Sequence, residues 1–383
     1  MSSNFKQHIA SRLQRIANLL LLNASIIDNL GLLNGKMGIA IFFYHYAYHT
    51  GNEMYEVKAG ELIDEIYGEI HQNTSVNYAD GLSGFGAGIE YLVKNGFIEA
   101  NTDEVLEEID KKIYYTVRHV PNRIDLCFGL TGCGKYYTAR LYNPFNNKET
   151  KVTTLNEEHL SCIVDSLDKT YDTYFDLLSV IDLLSEAYPL NVNHAKVKHY
   201  LNYATDKLET MLYEDQHFGI YPATFNPLSA SVALIQASVK TGVKEYKDRG
   251  IHFLNNYEES FRQFLEGDLH NLKSGSLKWS ILYDYLSIET ENNIYKQLSE
   301  DWLNLSLIED KDTFAGFRVE EYNNRLSMGL LHGYAGMGMA LLTLIDKCPR
   351  DWLGLIPWYL EKERKPKVPL SSIEHKHLES EAL

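Results

Sequence analysis

Asp80 and Asp125 are the residues whose type and placement most directly suggest acid–base chemistry, because each stands at or just before a Gly-x-x-Gly turn, at Gly81/Gly84 and Gly129/Gly132. Two carboxyls brought to one rim can serve as general acid and general base on a glycosidic bond. Other constellations carry less. His45 and His49 share a helix face at i, i+4, a spacing that can bind metal, but they lie in Tyr44-His45-Tyr46-Ala47-Tyr48-His49, remote from the glycine turn and without an accompanying carboxylate motif. A packed, hydrogen-bonded histidine is the expectation there. Lys135, Tyr136 and Tyr137 after Gly134 form a fragment of a phosphate loop, without the full spacing or the preceding strand such a loop needs.

A repeat positions these residues. Gly-x-x-Gly opens an apolar segment at Gly35/Gly38, Gly81/Gly84, Gly129/Gly132 and Gly333/Gly336; the first three copies are 46 and 48 residues apart, and the last follows after 204, close to four further periods. Two helices fit in each period, and a pair that cannot bury both apolar faces alone must stack on its neighbours. Segments between the turns, such as Leu62, Ile63, Ile66 and Ile70, or Val105, Leu106, Ile109 and Ile113 after Asn101, keep one apolar stripe among charged neighbours and read as outer helices. Those just after the turns, Ile39 to Phe43 and Met337 to Leu344, are apolar nearly all round and belong inside. The glycines are expected to supply positive φ or close approach to the neighbouring turn. Degenerate copies are placed at residues 218–227 and 274–280.

The fold expected is all-α, an α/α toroid of six or seven helical hairpins with its glycine turns gathered at one end; a linear solenoid is the alternative. Residues 1–361 form one domain in this reading, and the charged residues 362–383 a mobile tail. A mouth framed by Asn34, Asp80, Asp125, Tyr221, Trp279 and His332 follows from the gathered turns.

With 383 residues, 45% of them hydrophobic and 12% aromatic, the chain can bury a large core. Its net charge of −16 argues against nucleic acid, which demands clustered Lys and Arg. No apolar run reaches the roughly 18 residues of a membrane span. Ile9, Leu13, Ile16 and Leu20 near the start fit an amphipathic helix better than a signal peptide. Four scattered cysteines suit a reducing compartment, so the cytoplasm is expected.

The strings GLLNGKMGIAIFFYHYA, DGLSGFGAGIEYL, DLCFGLTGCGKYY and GLLHGYAGMGMALL resemble the successive repeats of the lanthionine synthetase C-like (LanC-like) family over residues 30–358. The resemblance implies an α/α toroid acting in ribosomal peptide modification. Active cyclases of that family bind zinc through one Cys in a Trp-Cys-x-Gly turn and a Cys and a His in a Cys-His-Gly turn; the metal activates a substrate thiol, which adds to a dehydrated residue. Here Ser280 of Leu277-Lys278-Trp279-Ser280 is aligned with the first cysteine, Leu331 with the second, and His332 with the histidine, although the turn Leu330-Leu331-His332-Gly333 matches the family's final repeat equally well. The family's catalytic His falls on Pro222, while Asp125 matches an acidic residue of the cyclases.

These matches imply a zinc-free peptide-binding or accessory pseudo-cyclase with no cofactor, whose partners are a peptide substrate or precursor peptide and peptide-modifying enzymes. Asp125 and His332 are its catalytic candidates. Asn34, Asp80, Tyr221 and Trp279 line its peptide-binding mouth. Whether it is an enzyme stays open, because one alternative is an active cyclase with an absent or displaced metal site built from Cys127, Cys133 and His332. In that case Cys133 competes with its other reading, a small hydrophobe inside the helix wall. The second alternative is a carbohydrate-active toroid using Asp80 and Asp125.

Overall fold

A computed structural model describes residues 3–119, 123–144, 151–167, 171, 173–218, 227–262, 270, 272–273, 275–308, 321–322, 325–345 and 347–357. The elements are α1 (Ser3–Asn23), α2 (Lys36–Thr50), α3 (Glu53–Glu69), α4 (Leu82–Lys94), α5 (Thr102–Val105), α6 (Glu107–His119), α7 (Leu130–Tyr142), α8 (Lys151–Ser166), α9 (Tyr174–Ala187), α10 (His194–Phe218), α11 (Pro227–Thr241), α12 (Lys244–Arg262), α13 (Ser276–Thr290), α14 (Asn293–Ser306) and α15 (Tyr334–Leu344). A two-residue antiparallel ribbon pairs Glu321–Tyr322 with Arg325–Leu326.

Seven helices, α2, α4, α7, α9, α11, α13 and α15, pack each against the next, and α15 returns to α2. This closed inner wall is the toroid, and the count is seven among the described residues. The outer layer is α3, α6, α8, α10, α12 and α14, each beside the inner helix that precedes it, with α1 packed on α15 to complete the circle. Sequence pattern explains the two layers. Every residue of α2 from Lys36 to Ala47 and every residue of α15 is buried, whereas α3 buries one stripe of Tyr55, Ala59, Leu62, Ile63 and Ile66. The outer-helix reading after Asn101 needs one correction. The helix is interrupted at Leu106, so Val105 ends the short α5 and is 39% exposed while Leu106, Ile109 and Ile113 are buried. Among the described residues no helix is long and apolar enough to cross a membrane.

Four inner helices start alike. Gly35, Gly81, Gly129 and Gly333 are N-caps with extended backbone and no side-chain cap. Their orphan first-turn N–H groups are satisfied instead by the chain looping back: Lys36 donates to Asn29 O (2.9 Å), Leu82 to Ser75 O (2.9 Å) and Leu130 to Arg123 O (2.8 Å). Positive φ is not the reason for glycine here; close approach is. A Cβ on the second glycine of each motif, Gly38, Gly84, Gly132 or Gly336, would collide with the carbonyl oxygen six residues earlier.

After α15 a 3₁₀ helix, Asp351–Leu355, buries Trp352 and brings Leu355 against the second corner, where Tyr78 donates its hydroxyl to Leu355 O (3.2 Å). Residues 358–383, on which the tail expectation falls, lie outside the described residues.

Candidate functional site

The corners touch one another through the backbone. Leu331 N donates to Leu33 O (2.9 Å), Leu33 N to Ala79 O (3.0 Å) and Ala79 N to Cys127 O (3.0 Å), so four successive turns are stitched into one arc at one end of the toroid. Each of these residues stands two before its N-cap glycine. All four side chains are buried. The arc therefore has a fixed register, and side chains can be compared by their distance from the cap.

One residue before the cap stand Asn34, Asp80, Phe128 and His332, all at least partly exposed, with Phe128 at 49%. Three of these are residues expected at the mouth. Asp80 accepts hydrogen bonds from Asn29 Nδ2 (2.8 Å) and Asn34 Nδ2 (3.0 Å), while Asn34 Oδ1 is buried with no partner. Four residues before the cap stand Asn77 and Asp125. Their roles match: Asn77 Oδ1 accepts the backbone N–H of Asp80 (2.8 Å), and Asp125 Oδ1 accepts that of Phe128 (2.9 Å). Asp125 also holds the exposed Arg123 (2.7 Å), whose guanidinium lies over the Phe128 ring. It is a turn carboxylate first, whatever else it does.

Cys127, at the arc's end, is buried, and burial pushes its thiol up to about 12, with Asp125 and Asp80 adding to the shift and Lys273 and Arg123 opposing it. The sulfur is a protonated thiol at neutral pH. Asp176, in the first turn of α9, is raised by burial, with Asp125 adding to the shift. The mouth thus gathers Asp80, Asp125, Arg123 and Lys273 near one thiol, with Asp176 close to Asp125 and Arg123.

The other expected residues fall elsewhere. Trp279 lies within α13, more than a turn beyond its N-cap Gly275, and packs near Trp302 of the outer helix α14 (centroids 6.3 Å apart). Ser280 is fully buried and donates to Ser299 O of α14 (2.9 Å), so the alignment that set it beside a metal-binding cysteine is out of register. Tyr221 and Pro222 lie outside the described residues. Cys133 is buried in the wall, where Ser83 Oγ donates to its sulfur (3.6 Å). Among the described residues no three His, Cys, Asp or Glu side chains assemble as a metal-holding group, so Cys127, Cys133 and His332 do not converge. His45 is buried between Tyr91 Oη (2.8 Å) and Cys348 Sγ (3.3 Å), a packed histidine rather than half of a metal pair. Lys135 sits in a buried ion cluster, not in a phosphate loop.

Counting back from the cap glycines decides how these corners relate to known proteins, and a family model of lanthionine synthetase C-like proteins matches residues 26–219. The chain belongs to that family. Its structure is similar to that of nisin cyclase, with a TM-score of 0.62 over 94% of this chain and 99% of that one at 14% identity, a likeness of fold. No curated protein matches it.

Against the family's ligand pattern, the cysteines of Trp-Cys-x-Gly and Cys-His-Gly turns stand two residues before a glycine. Counted from Gly275, that position is Lys273; counted from Gly333, it is Leu331. An ammonium and an alkyl chain are not zinc donors, and His332 alone cannot hold the ion. Among the described residues, these positions give no donor set that fits zinc. Lys273, Phe128, Arg123 and Asp176 are the mouth residues that sequence reasoning missed. Counting from Gly275 rather than matching Trp279-Ser280 by residue type would have found Lys273.

Proposed function

We propose that this chain works in ribosomal peptide modification as a zinc-free member of its family that binds a peptide at the corner end of the toroid. One observation carries the reading: the side chains one residue before each cap, Asn34, Asp80, Phe128 and His332, line one arc at a single end, while the positions two residues before Gly275 and Gly333 hold Lys273 and Leu331 rather than cysteine. A peptide suits that arc. Asn34 Oδ1 is an acceptor without a donor, which a peptide N–H can fill, and Phe128 offers an exposed aromatic face for an apolar side chain. Its negative charge favours a basic segment.

A second reading keeps chemistry without metal, with Asp125 and His332 as its acid–base pair. Both stand on mouth corners, which is the observation in its favour. One experiment separates the two. A synthetic peptide carrying a cysteine and a dehydroalanine is added to chelator-treated protein, with binding followed by fluorescence anisotropy and free thiol by alkylation. Saturable binding without thiol loss is expected. Thiol loss that disappears in Asp125→Asn or His332→Ala replaces the first reading with the second, and absence of binding overturns both.

A further inference from the structure

Asp80 differs from the other carboxylates at the corner end in what holds it. Its Oδ1 accepts from two neutral amides, Asn29 Nδ2 (2.8 Å) and Asn34 Nδ2 (3.0 Å), and its backbone N–H is held by Asn77 (2.8 Å). Among the described residues nothing donates to Oδ2, and no Lys, Arg or His pairs with this partly exposed group. Asp125, by contrast, is balanced by Arg123 at 2.7 Å, and Asp176 accepts the hydroxyl of Thr173 at 2.7 Å. Holding Asp80 in place has a cost, because Asn34 gives its Nδ2 to the carboxylate and leaves its own Oδ1 buried with no donor. Two amide N–H groups need only an acceptor, which an asparagine side chain supplies without charge. The negative charge is more than the turn requires.

The flanking corners complete the chemistry. In the same register, one residue before the cap, they place Asn34 on one side of Asp80 and Phe128 on the other. Phe128 is 49% exposed, and its ring already carries a guanidinium, that of Arg123, 5.4 Å from the centroid. A carboxylate with one oxygen unbonded, next to an exposed aromatic ring, attracts a cation both by its charge and by the ring's quadrupole. We propose that Asp80 anchors a positively charged side chain of the bound peptide, an arginine or a lysine that meets Asp80 Oδ2 between the Asn34 and Phe128 corners. This rests on the peptide-binding reading above and names the group that is recognised. Both side chains bring the charge; arginine adds a planar face for the ring.

The test uses the peptide carrying a cysteine and a dehydroalanine, given a single basic position and made in four forms: arginine, its neutral isostere citrulline, lysine, and its neutral counterpart norleucine. Binding to wild type, Asp80→Asn and Asp125→Asn is followed by fluorescence anisotropy, once each protein shows helical far-ultraviolet circular dichroism. Asp80→Ser takes the place of Asp80→Asn if the latter does not fold. On wild type, each charged form should bind at least about tenfold more tightly than its neutral counterpart. In Asp80→Asn, which can still accept from both amides, that ratio should fall below about threefold. In Asp125→Asn it should persist, because Arg123 already balances the charge removed there. A wild type that binds charged and neutral forms alike, or a ratio that survives in Asp80→Asn or is lost equally in Asp125→Asn, would overturn this inference alone. Failure of all four forms to bind wild type would overturn the peptide-binding reading with it.

Discussion

The corners of α2, α4, α7 and α15 and the corner of α9 solve the same problem by different means. In the first group glycine caps the helix, the chain loops back to satisfy the first-turn N–H groups, and the turns are stitched backbone to backbone. At α9 there is no glycine: Thr173 caps the helix, its Oγ1 accepting the N–H of Asp176 (3.1 Å). What α9 has instead lies deeper in the wall. Asp182 and Glu186 hold Lys135 of α7 at 2.8 and 2.9 Å and Lys240 of α11 at 3.0 and 2.9 Å, so α9 is tied to both neighbours by buried ions. The glycine signature is thus not a requirement for starting an inner helix. It is a requirement for corners that approach one another closely.

If this division is right, the two regions should fail differently. Lys135→Met should have the largest effect, about 3–5 kcal/mol of lost stability in denaturant unfolding, because it leaves buried carboxylates short of a partner. Asp182 adds a pH signature. Burial alone would raise its carboxyl, but Lys135 and Lys240 outweigh burial and hold it down at about 2, against an ordinary 3.8. A depressed carboxyl stabilises the fold above its unfolded value, and that contribution is lost as pH falls from 3.8 towards 2. Asp182→Asn should flatten this acid limb of the stability curve; an unchanged limb would remove the ion cluster from the account.

Next comes Gly336→Ala, whose new methyl meets the carbonyl of Leu330, backbone that cannot swing aside. A cost of about 3 kcal/mol is expected. Thr173→Ala, at the corner without glycine, should cost only about 1 kcal/mol, the ordinary value of a lost cap. Equal losses at the two corners, measured by the same denaturant titration, would erase the distinction between them.

The glycine corners were legible because close approach leaves a residue-type mark at fixed spacing, and the two layers because burial leaves a periodicity. The α9 corner left neither, since threonine caps occur on any helix. The ion cluster was hidden for a related reason: Lys135, Asp182 and Lys240 lie on three helices, and nothing local announces that they meet. At the mouth, Asn34, Asp80 and His332 were found because they sit next to cap glycines. Trp279 and Ser280 were misplaced because residue type was matched to a family pattern without counting from Gly275. That count shifts the comparison to Lys273 and changes the metal chemistry expected there.

Asp125 is where the comparison between corners bears most directly on function. Its equivalent in the preceding corner is Asn77, and each side-chain oxygen accepts the N–H of the residue before the cap. An amide does this job as well as a carboxylate. Asp125→Asn should therefore shift stability by no more than about 0.5 kcal/mol: the ion pair it loses is with Arg123, which is 69% exposed, and such pairs contribute little. Removing the charge also relieves Asp176, which should ionise at lower pH in the variant, a change that nuclear magnetic resonance titration of its carboxyl would show. A negative charge retained where the neighbouring corner does well with an amide is then surplus to folding. If the variant is as stable as wild type and still loses affinity for the peptide, the carboxylate belongs to recognition; if stability falls by several kcal/mol, it belongs to the turn.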